Sequence, residues 1–187
     1  MKKYLTFIVS AFLISIGVSA QNGNIKGVVK YEYNDYIGYK IDEGAEIYAI
    51  SVKNAPSVSY YNWQEYETLA KRNMYYLQLK NDDELAILGD ETLRKTAKFS
   101  YVDKVKLDEL DRKCMEQFLF IKENAENIEL VDASGKYTMS LPYGEYYILA
   151  ISKNRERPLA TELTGRKLLE KVTIDKPVKI LSFDFCY

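Results

Sequence analysis

Residues 146–151 form an uninterrupted apolar run, Tyr-Tyr-Ile-Leu-Ala-Ile, between a Pro-Tyr-Gly turn and a charged segment that begins at Lys153. A short apolar run rich in tyrosine and isoleucine and bounded by turn residues is typical of a β-strand. Because successive side chains of a strand point to opposite faces of its sheet, a strand that is apolar at every position must be covered on both faces. The run therefore predicts three layers, with the strand's own sheet in the middle.

The two outer thirds of the chain also have strand character. In residues 24–33 apolar and polar side chains alternate, which is the pattern of a strand with one buried face. Asn34, Asp35 and Gly38 follow as turn residues. Further strand-like segments, separated by Gly- and Pro-containing turns, are residues 46–52, 128–131, 136–141, 145–152, 168–174 and 178–185. The pattern predicts a mainly β chain (α+β overall) that forms an antiparallel β-sandwich.

Between residues 53 and 127 the apolar period changes to that of a helix. Apolar residues recur at steps of three and four, as on the buried stripe of a helix. The stripes are Trp63, Tyr66, Ala70, Met74 and Leu77, and then Leu107, Leu110, Cys114, Phe118, Ile121 and Ala125. Asn62 with Glu65 predicts an N-terminal cap for the first helix, and the second is expected to begin near Ser100. These helices are the natural cover for the second face of strand 146–151.

Four motifs follow one another in the order of a known family. They are Ile25-Lys26-Gly27-Val28-Val29, Asp42-Glu43-Gly44-Ala45-Glu46-Ile47-Tyr48, Asp132-Ala133-Ser134-Gly135-Lys136-Tyr137 and Leu141-Pro142-Tyr143-Gly144-Glu145-Tyr146-Tyr147. This succession resembles the carboxypeptidase regulatory-like domains, which share the transthyretin-like (prealbumin-like) β-sandwich. The resemblance covers residues 24–52 and 128–185, so residues 53–127 are expected to be a mostly helical insertion between the second and third strands. It implies a structural or binding module without chemistry of its own.

Each motif also has a structural cause. Gly135 and Gly144 are expected to adopt positive φ in tight turns, while Tyr137 and Tyr146 fill the core after those turns. Asp132 is expected to cap its own turn. This turn lacks the additional oxygen ligands and the distal glutamate of a calcium loop, so it indicates no metal site.

Residues 1–20 have the pattern of a cleavable export signal. Lys2 and Lys3 precede an almost unbroken apolar run, Leu5–Val18, and small residues follow at 18–20. The run is shorter than the roughly 20 residues needed to cross a bilayer, and position 21 is not a cysteine that could carry a lipid. We expect residues 21–187 to be a single domain exported from a bacterium. The domain would be periplasmic or secreted, not a lipoprotein, and not stably inserted in a membrane.

The chain contains no histidine, which is the commonest general base and metal ligand. We therefore expect no catalytic residues, no cofactor and no metal site. The branch of the transthyretin superfamily that hydrolyses hydroxyisourate uses histidines and a Tyr-Arg-Gly-Ser C-terminus, whereas this chain ends Phe-Asp-Phe-Cys-Tyr. Its formal net charge of −1 also indicates no binding to nucleic acid.

Cys114 and Cys186 are the two cysteines of the chain. Export would allow a disulfide, but the bridge requires the second helix to cross the last strand. The pattern permits this crossing without demanding it. We predict two free thiols.

Five tyrosines fall in predicted loops: Tyr36, Tyr39, Tyr60, Tyr61 and Tyr143. Aromatic side chains in loops can stack on sugar rings or anchor a protein partner, and they can equally pack locally beneath the loops. We predict a non-enzymatic binding module that recognises a protein or glycan of the bacterial envelope, with these tyrosines as candidate contacts. Two alternatives stay open. One is a purely structural accessory subunit of an envelope complex, and the other is a carboxylate-dependent hydrolase with two facing acids in one pocket.

Overall fold

The computed structural model describes residues 21–34, 36–81, 101–155 and 166–185. The predictions for the signal segment, for the end of the charged loop after Lys153 and for Cys186 lie outside these residues. Within them the elements are β1 (Asn22–Asn34), β2 (Gly38–Ile41), β3 (Glu46–Ser51), α1 (Tyr60–Asn81), α2 (Tyr101–Asn124), β4 (Asn127–Leu130), β5 (Lys136–Pro142), β6 (Gly144–Ile151), β7 (Lys167–Ile174), β8 (Val178–Ile180) and β9 (Phe183–Phe185). No helix in this part of the chain is long and apolar enough to cross a membrane.

The strands form two sheets. One has four antiparallel strands in the order β4-β3-β6-β7. The other is built on the long β1, which pairs antiparallel with β2 and β5 and parallel with β8 and β9. The prediction of a wholly antiparallel fold is wrong for this second sheet. After β7 the chain crosses to the other sheet and runs beside β1 in the same direction.

An apolar cluster joins the two sheets. Its buried side chains come from both of them: Ile25 and Val29 of β1, Met139 of β5 and Phe183 and Phe185 of β9 on one side, and Ile47 of β3, Tyr146 and Ile148 of β6 and Ile174 of β7 on the other. The alternating positions along each strand therefore meet between two layers, as in a β-sandwich. Tyr137 and Tyr146 both belong to this cluster, which confirms that they fill the core.

The two helices cover the other face of the four-stranded sheet. Trp63, Tyr66 and Ala70 of α1 and Leu107, Leu110, Cys114, Phe118 and Ile121 of α2 form a second apolar cluster with Tyr147 and Leu149 of β6. In β6 the side chains of Tyr147 and Leu149 therefore face the helices. Those of Ile148 and Ala150 face the other sheet. This confirms that strand 146–151 is covered on both faces.

Three local predictions are corrected. Gly38, predicted as a turn residue, is instead the first residue of the short strand β2, which pairs with residues 30–34 of β1. The last predicted strand is divided into β8 and β9. Helix α1 begins at Tyr60, where the hydroxyl oxygen of Ser59 accepts a hydrogen bond from the N–H of Asn62 at 3.3 Å. The cap is therefore Ser59 and not Asn62.

Asp132 caps the turn before β5, as predicted. Its Oδ1 accepts hydrogen bonds from the N–H groups of Ser134 and Lys136 and from the Ser134 hydroxyl. Gly135 has a φ of 77° in this turn, whereas Gly144 does not have a positive φ. The prediction for Gly144 is wrong because the chain enters β6 there in an ordinary backbone conformation.

A buried carboxylate connects the β2–β3 loop to the segment after β6. Asp42 is fully buried and accepts hydrogen bonds from the Ser152 hydroxyl and from the N–H groups of Lys153 and Asn154. Arg155 is also buried, and it donates to the carbonyl of Phe185 at 2.6 Å. The first part of the predicted charged loop is thus fixed to the sandwich by polar contacts.

Candidate functional site

A pocket of about 480 Å³ lies at the end of the sandwich where β3 ends and β6 begins. Three segments meet there: the 3₁₀ turn Val52–Asn54 after β3, the junction between α2 and β4, and the turn between β5 and β6. We name it the Glu126 pocket. Its lining residues are Ser51, Val52, Lys53, Asn54, Glu126, Pro142, Tyr143, Gly144, Glu145 and Tyr146.

Glu126 is held in place by three hydrogen bonds to one oxygen. Its Oε1 accepts from the N–H of Ser51 at 3.1 Å, from the Ser51 hydroxyl at 2.7 Å and from the side-chain amide of Asn54 at 2.6 Å. The backbone N–H of Glu126 donates to the carbonyl of Ala49 at 2.8 Å. The second oxygen, Oε2, accepts no hydrogen bond within the described part of the chain. The pocket therefore contains an oriented acceptor.

The electrostatics of the pocket favour an ionised Glu126. Burial alone would raise the pKa of this carboxyl group, but the hydrogen bonds from Ser51 and Asn54 and the charge of Lys53 outweigh burial and lower the pKa. Burial, and next the negative charge of Glu126, raise the pKa of the Tyr146 hydroxyl. At neutral pH the pocket thus presents a carboxylate beside a neutral phenol.

Two tyrosine rings belong to the apolar part of the lining, together with Val52 and Pro142. Tyr146 is almost fully buried in the cluster between the sheets, whereas Tyr143 is half-buried and packs on the edge of that cluster. The N–H of Tyr143 donates to the carbonyl of Gln21 at 2.8 Å, which fixes the turn against the start of β1. A Cβ atom at Gly144 would lie 3.5 Å from the Tyr146 ring, in ordinary contact with it.

The charged side chains of the lining differ in whether a salt bridge balances their charge. The carboxylate of Glu145 pairs with Lys171 of β7 at 3.3 Å. Lys53 is exposed, and in the described part of the chain no carboxylate lies within salt-bridge distance of its ammonium group. The lining thus combines an oriented carboxylate, a neutralised carboxylate and an ammonium group.

The Glu126 pocket has groups that can orient a small polar ligand, and it also places two carboxylates, Glu126 and Glu145, in one lining. The lining contains neither histidine nor cysteine, and the described residues contain no group of three side chains suited to hold a metal ion. The pocket contains hydrogen-bond acceptors and donors around an aromatic surface, as do sites that orient a small polar ligand.

The structure does not bring the five candidate tyrosines together. Of the five, Tyr143 lies in the Glu126 pocket. Tyr36 lies in the turn between β1 and β2 and is fully exposed, and Tyr39 lies in β2 rather than in a loop. Tyr60 and Tyr61 open helix α1 rather than lying in a loop, because Ser59 caps the helix immediately before them.

Tyr60 is engaged within the fold. Its hydroxyl donates to Glu170 of β7 at 2.8 Å, and burial together with this carboxylate raises the pKa of Tyr60 to about 12. Tyr61, on the next position of the helix, is 69% exposed. Local packing therefore accounts for Tyr60 but not for Tyr61.

Tyr36 and Tyr143 lie near opposite ends of β1. The N–H of Tyr143 is hydrogen-bonded to the carbonyl of Gln21, immediately before β1 begins. Tyr36 follows shortly after the end of β1. A strand of 13 residues is about 40 Å long. The Glu126 pocket and the β1–β2 turn are therefore separate surfaces.

Five polar residues of the pocket are absent from the sequence-based prediction of site residues: Ser51, Lys53, Asn54, Glu126 and Glu145. More than 70 residues separate Ser51 from Glu126, and no local motif connects them. The meeting of Ser51 and Glu126 results from the pairing of β3 with β4, which brings the two strand ends together.

No protein-family model matches this chain, and no curated protein matches it in sequence. The carboxypeptidase regulatory-like family is therefore not confirmed.

Solved structures are similar to the chain only in a distant way. A candidate carbohydrate-binding protein from Pseudomonas aeruginosa is 10% identical with a TM-score of 0.40, over 89% of this chain and 92% of that one. The pilus backbone protein RrgB from Streptococcus pneumoniae is 17% identical with a TM-score of 0.30, over 81% of this chain and 34% of the pilin. At this level of similarity neither structure assigns a function to the chain.

Proposed function

We propose that this protein is an exported, non-enzymatic binding module with a transthyretin-like sandwich, and that the Glu126 pocket binds a glycan. The observation that carries the proposal is the pairing of an oriented Glu126 carboxylate with the half-buried ring of Tyr143 in one pocket. The other parts of the proposal, export and fold family, rest on the sequence pattern of residues 1–20 and on the four ordered motifs.

The two kinds of lining match the two kinds of surface on a sugar. A pyranose ring has an apolar C–H face, which packs on an aromatic ring. Its hydroxyl groups need fixed acceptors and donors, because a polar group that loses water must regain a hydrogen bond. Oε2 of Glu126 is such an acceptor, and the polar side chains of Asn54 and Lys53 line the same pocket.

The size of the pocket favours a small ligand over a folded protein. Ligand pockets measure roughly 300–1,000 Å³, and about 480 Å³ lies within this range. Stable interfaces between proteins are broad surfaces that bury about 800 Å² on each partner. A short segment of a glycan chain fits the pocket better than such a surface does.

The binding experiment compares the exported protein with two tyrosine variants. A panel of neutral and acidic oligosaccharides is screened, and hits are titrated by calorimetry. Tyr143→Ala should weaken binding by about tenfold or more, since an aromatic contact at the centre of a site is often worth over 1.4 kcal/mol. Tyr61→Ala, an exposed tyrosine outside the pocket, should bind as the wild type does. If no sugar binds the wild type, or if both variants behave alike, the proposal is wrong.

A second candidate function, docking of a protein partner, is favoured by the hairpin that joins β1 and β2. Tyr33, Tyr36, Ile37 and Tyr39 are each about half or more exposed there, which is an unusual density of large apolar side chains. If the hairpin is the contact, Tyr36→Ala should abolish capture of an envelope protein and leave sugar binding unchanged. Loss of sugar binding in this variant would contradict the assignment of two separate surfaces.

A further inference from the structure

We propose that the ligand of the Glu126 pocket is an acidic glycan, whose carboxylate binds the ammonium group of Lys53 while its hydroxyl groups donate to Glu126. This inference rests on the proposed glycan binding and names the class of sugar. It depends on the partners of the three charged side chains in the lining, which are Lys53, Glu126 and Glu145.

The two carboxylates of the pocket have different partners, and Oε2 of Glu126 accepts no hydrogen bond from the described residues. Three donors from Ser51 and Asn54 converge on Oε1 of Glu126. The charge of Glu145 is balanced by Lys171 at 3.3 Å. Glu145 is therefore paired with a cation of the protein, whereas Oε2 of Glu126 can accept a hydrogen bond from a ligand hydroxyl group.

Lys53 is the one basic residue among the ten that line the pocket. No carboxylate of the described residues forms a salt bridge with it. Its ammonium group is therefore the cationic donor of the lining that can pair with a carboxylate of the ligand. An amino sugar would bring a second ammonium group toward Lys53, whereas a uronate would bring the opposite charge.

Lys53 and Glu126 line the same pocket, and Asn54, which follows Lys53 in the chain, donates to Oε1 of Glu126 at 2.6 Å, so one sugar residue can contact both. The two charges are close enough for Lys53 to influence the ionisation of Glu126, but they do not form a salt bridge. A uronate carries a carboxylate and vicinal hydroxyl groups on one ring. The carboxylate would accept a charge-assisted hydrogen bond from Lys53, and a hydroxyl group would donate to Oε2 of Glu126.

The test uses oligosaccharides that differ in charge alone. Galacturonate and glucuronate oligomers are compared with their methyl esters, which keep the ring and hydroxyl groups and remove the negative charge. The wild-type exported protein should bind an acid oligomer about tenfold more tightly than its ester, and this preference should decrease as salt is added.

Three lysine variants test whether Lys53 causes the preference for acid oligomers over their esters. Lys53→Gln should remove it, and Lys53→Arg should retain it. Lys136→Gln makes the same charge change at the other end of β5, outside the pocket, and should retain it as well. An acid preference that survives in Lys53→Gln would overturn the inference.

The outcomes separate this inference from the proposed function. Equal binding of acids and esters, or binding of neutral sugars only, overturns the acidic ligand and leaves glycan binding in place. Binding of no sugar at all overturns both.

Discussion

The backbone N–H and the hydroxyl group of Ser51 both donate to Oε1 of Glu126, at 3.1 and 2.7 Å. This pair connects the end of β3 to the junction between α2 and β4, and it orients the carboxylate of the pocket. It also makes the ionised form of Glu126 the one that the fold favours.

Glu126→Gln should therefore destabilise the protein in a pH-dependent way. The pKa of Glu126 is lowered in the folded state, so its contribution is fully present above the ordinary value of 4.5 and is lost as the pH falls through the lowered pKa. The difference in unfolding free energy between wild type and variant should be largest near pH 7 and should shrink below about pH 4.5. Urea unfolding at several pH values measures this difference. Glu123→Gln, an exposed position in the last turn of α2, serves as the control and should lack the trend.

Phe118→Ala tests the contact between the helices and the sheet. Phe118 is 7% exposed and lies in the cluster between α2 and the four-stranded sheet. Removal of a buried aromatic ring costs about 3–5 kcal/mol of unfolding free energy. The adjacent Leu119 is 48% exposed, and Leu119→Ala should change stability by about 0.5 kcal/mol or less. Similar effects at both positions in urea unfolding would contradict the packing of α2 on the sheet.

Gly27→Ala tests the close approach of β1 to the connection between β8 and β9. A Cβ atom at this glycine would overlap the carbonyl group of Leu181, whose N–H donates to Lys26 at 2.9 Å. The backbone would have to shift, and we expect a loss of about 3 kcal/mol or more. Gly144→Ala is the matched control, because its Cβ would make only an ordinary contact at 3.5 Å and should change stability by less than about 1 kcal/mol. A stable Gly27→Ala protein in thermal unfolding would refute this geometry.

The thiol content provides a fourth test. Cys114 is buried, and burial, with the charges of Asp111 and Glu67, raises the pKa of its thiol to about 12, whereas Cys186 lies outside the described residues. Only the thiolate reacts, so we expect no alkylation of Cys114 in the folded protein. After denaturation without reductant, mass spectrometry should find two labels per chain, on Cys114 and Cys186. Absence of label would reveal a disulfide and contradict the prediction of two free thiols.

The mature N-terminus is the fifth prediction. The small residues 18–20 place cleavage before Gln21. N-terminal sequencing of protein recovered from the envelope or the medium should begin at Gln21. Retention of Met1 in that material would contradict both cleavage and export.

The amino-acid sequence by itself determined most of the secondary structure and the layering of the fold. Strand β6 is apolar on both faces, so its two covers follow from elementary side-chain geometry. The stripe Leu107, Leu110, Cys114, Phe118 and Ile121 is buried as its spacing predicts. These features depend on contacts within one element, and a periodic pattern is enough to specify them.

Only the tertiary structure decided which strands pair and which residues line the pocket. The parallel pairing of β8 and β9 with β1 depends on where the chain crosses between the sheets, which no local pattern encodes. Ser51 and Glu126 meet because β3 pairs with β4, although more than 70 residues separate them. Of the five candidate tyrosines, Tyr143 is the one that lies in the Glu126 pocket. A turn signal predicts that a side chain is near the surface, but only the packing of distant segments decides which polar groups surround it.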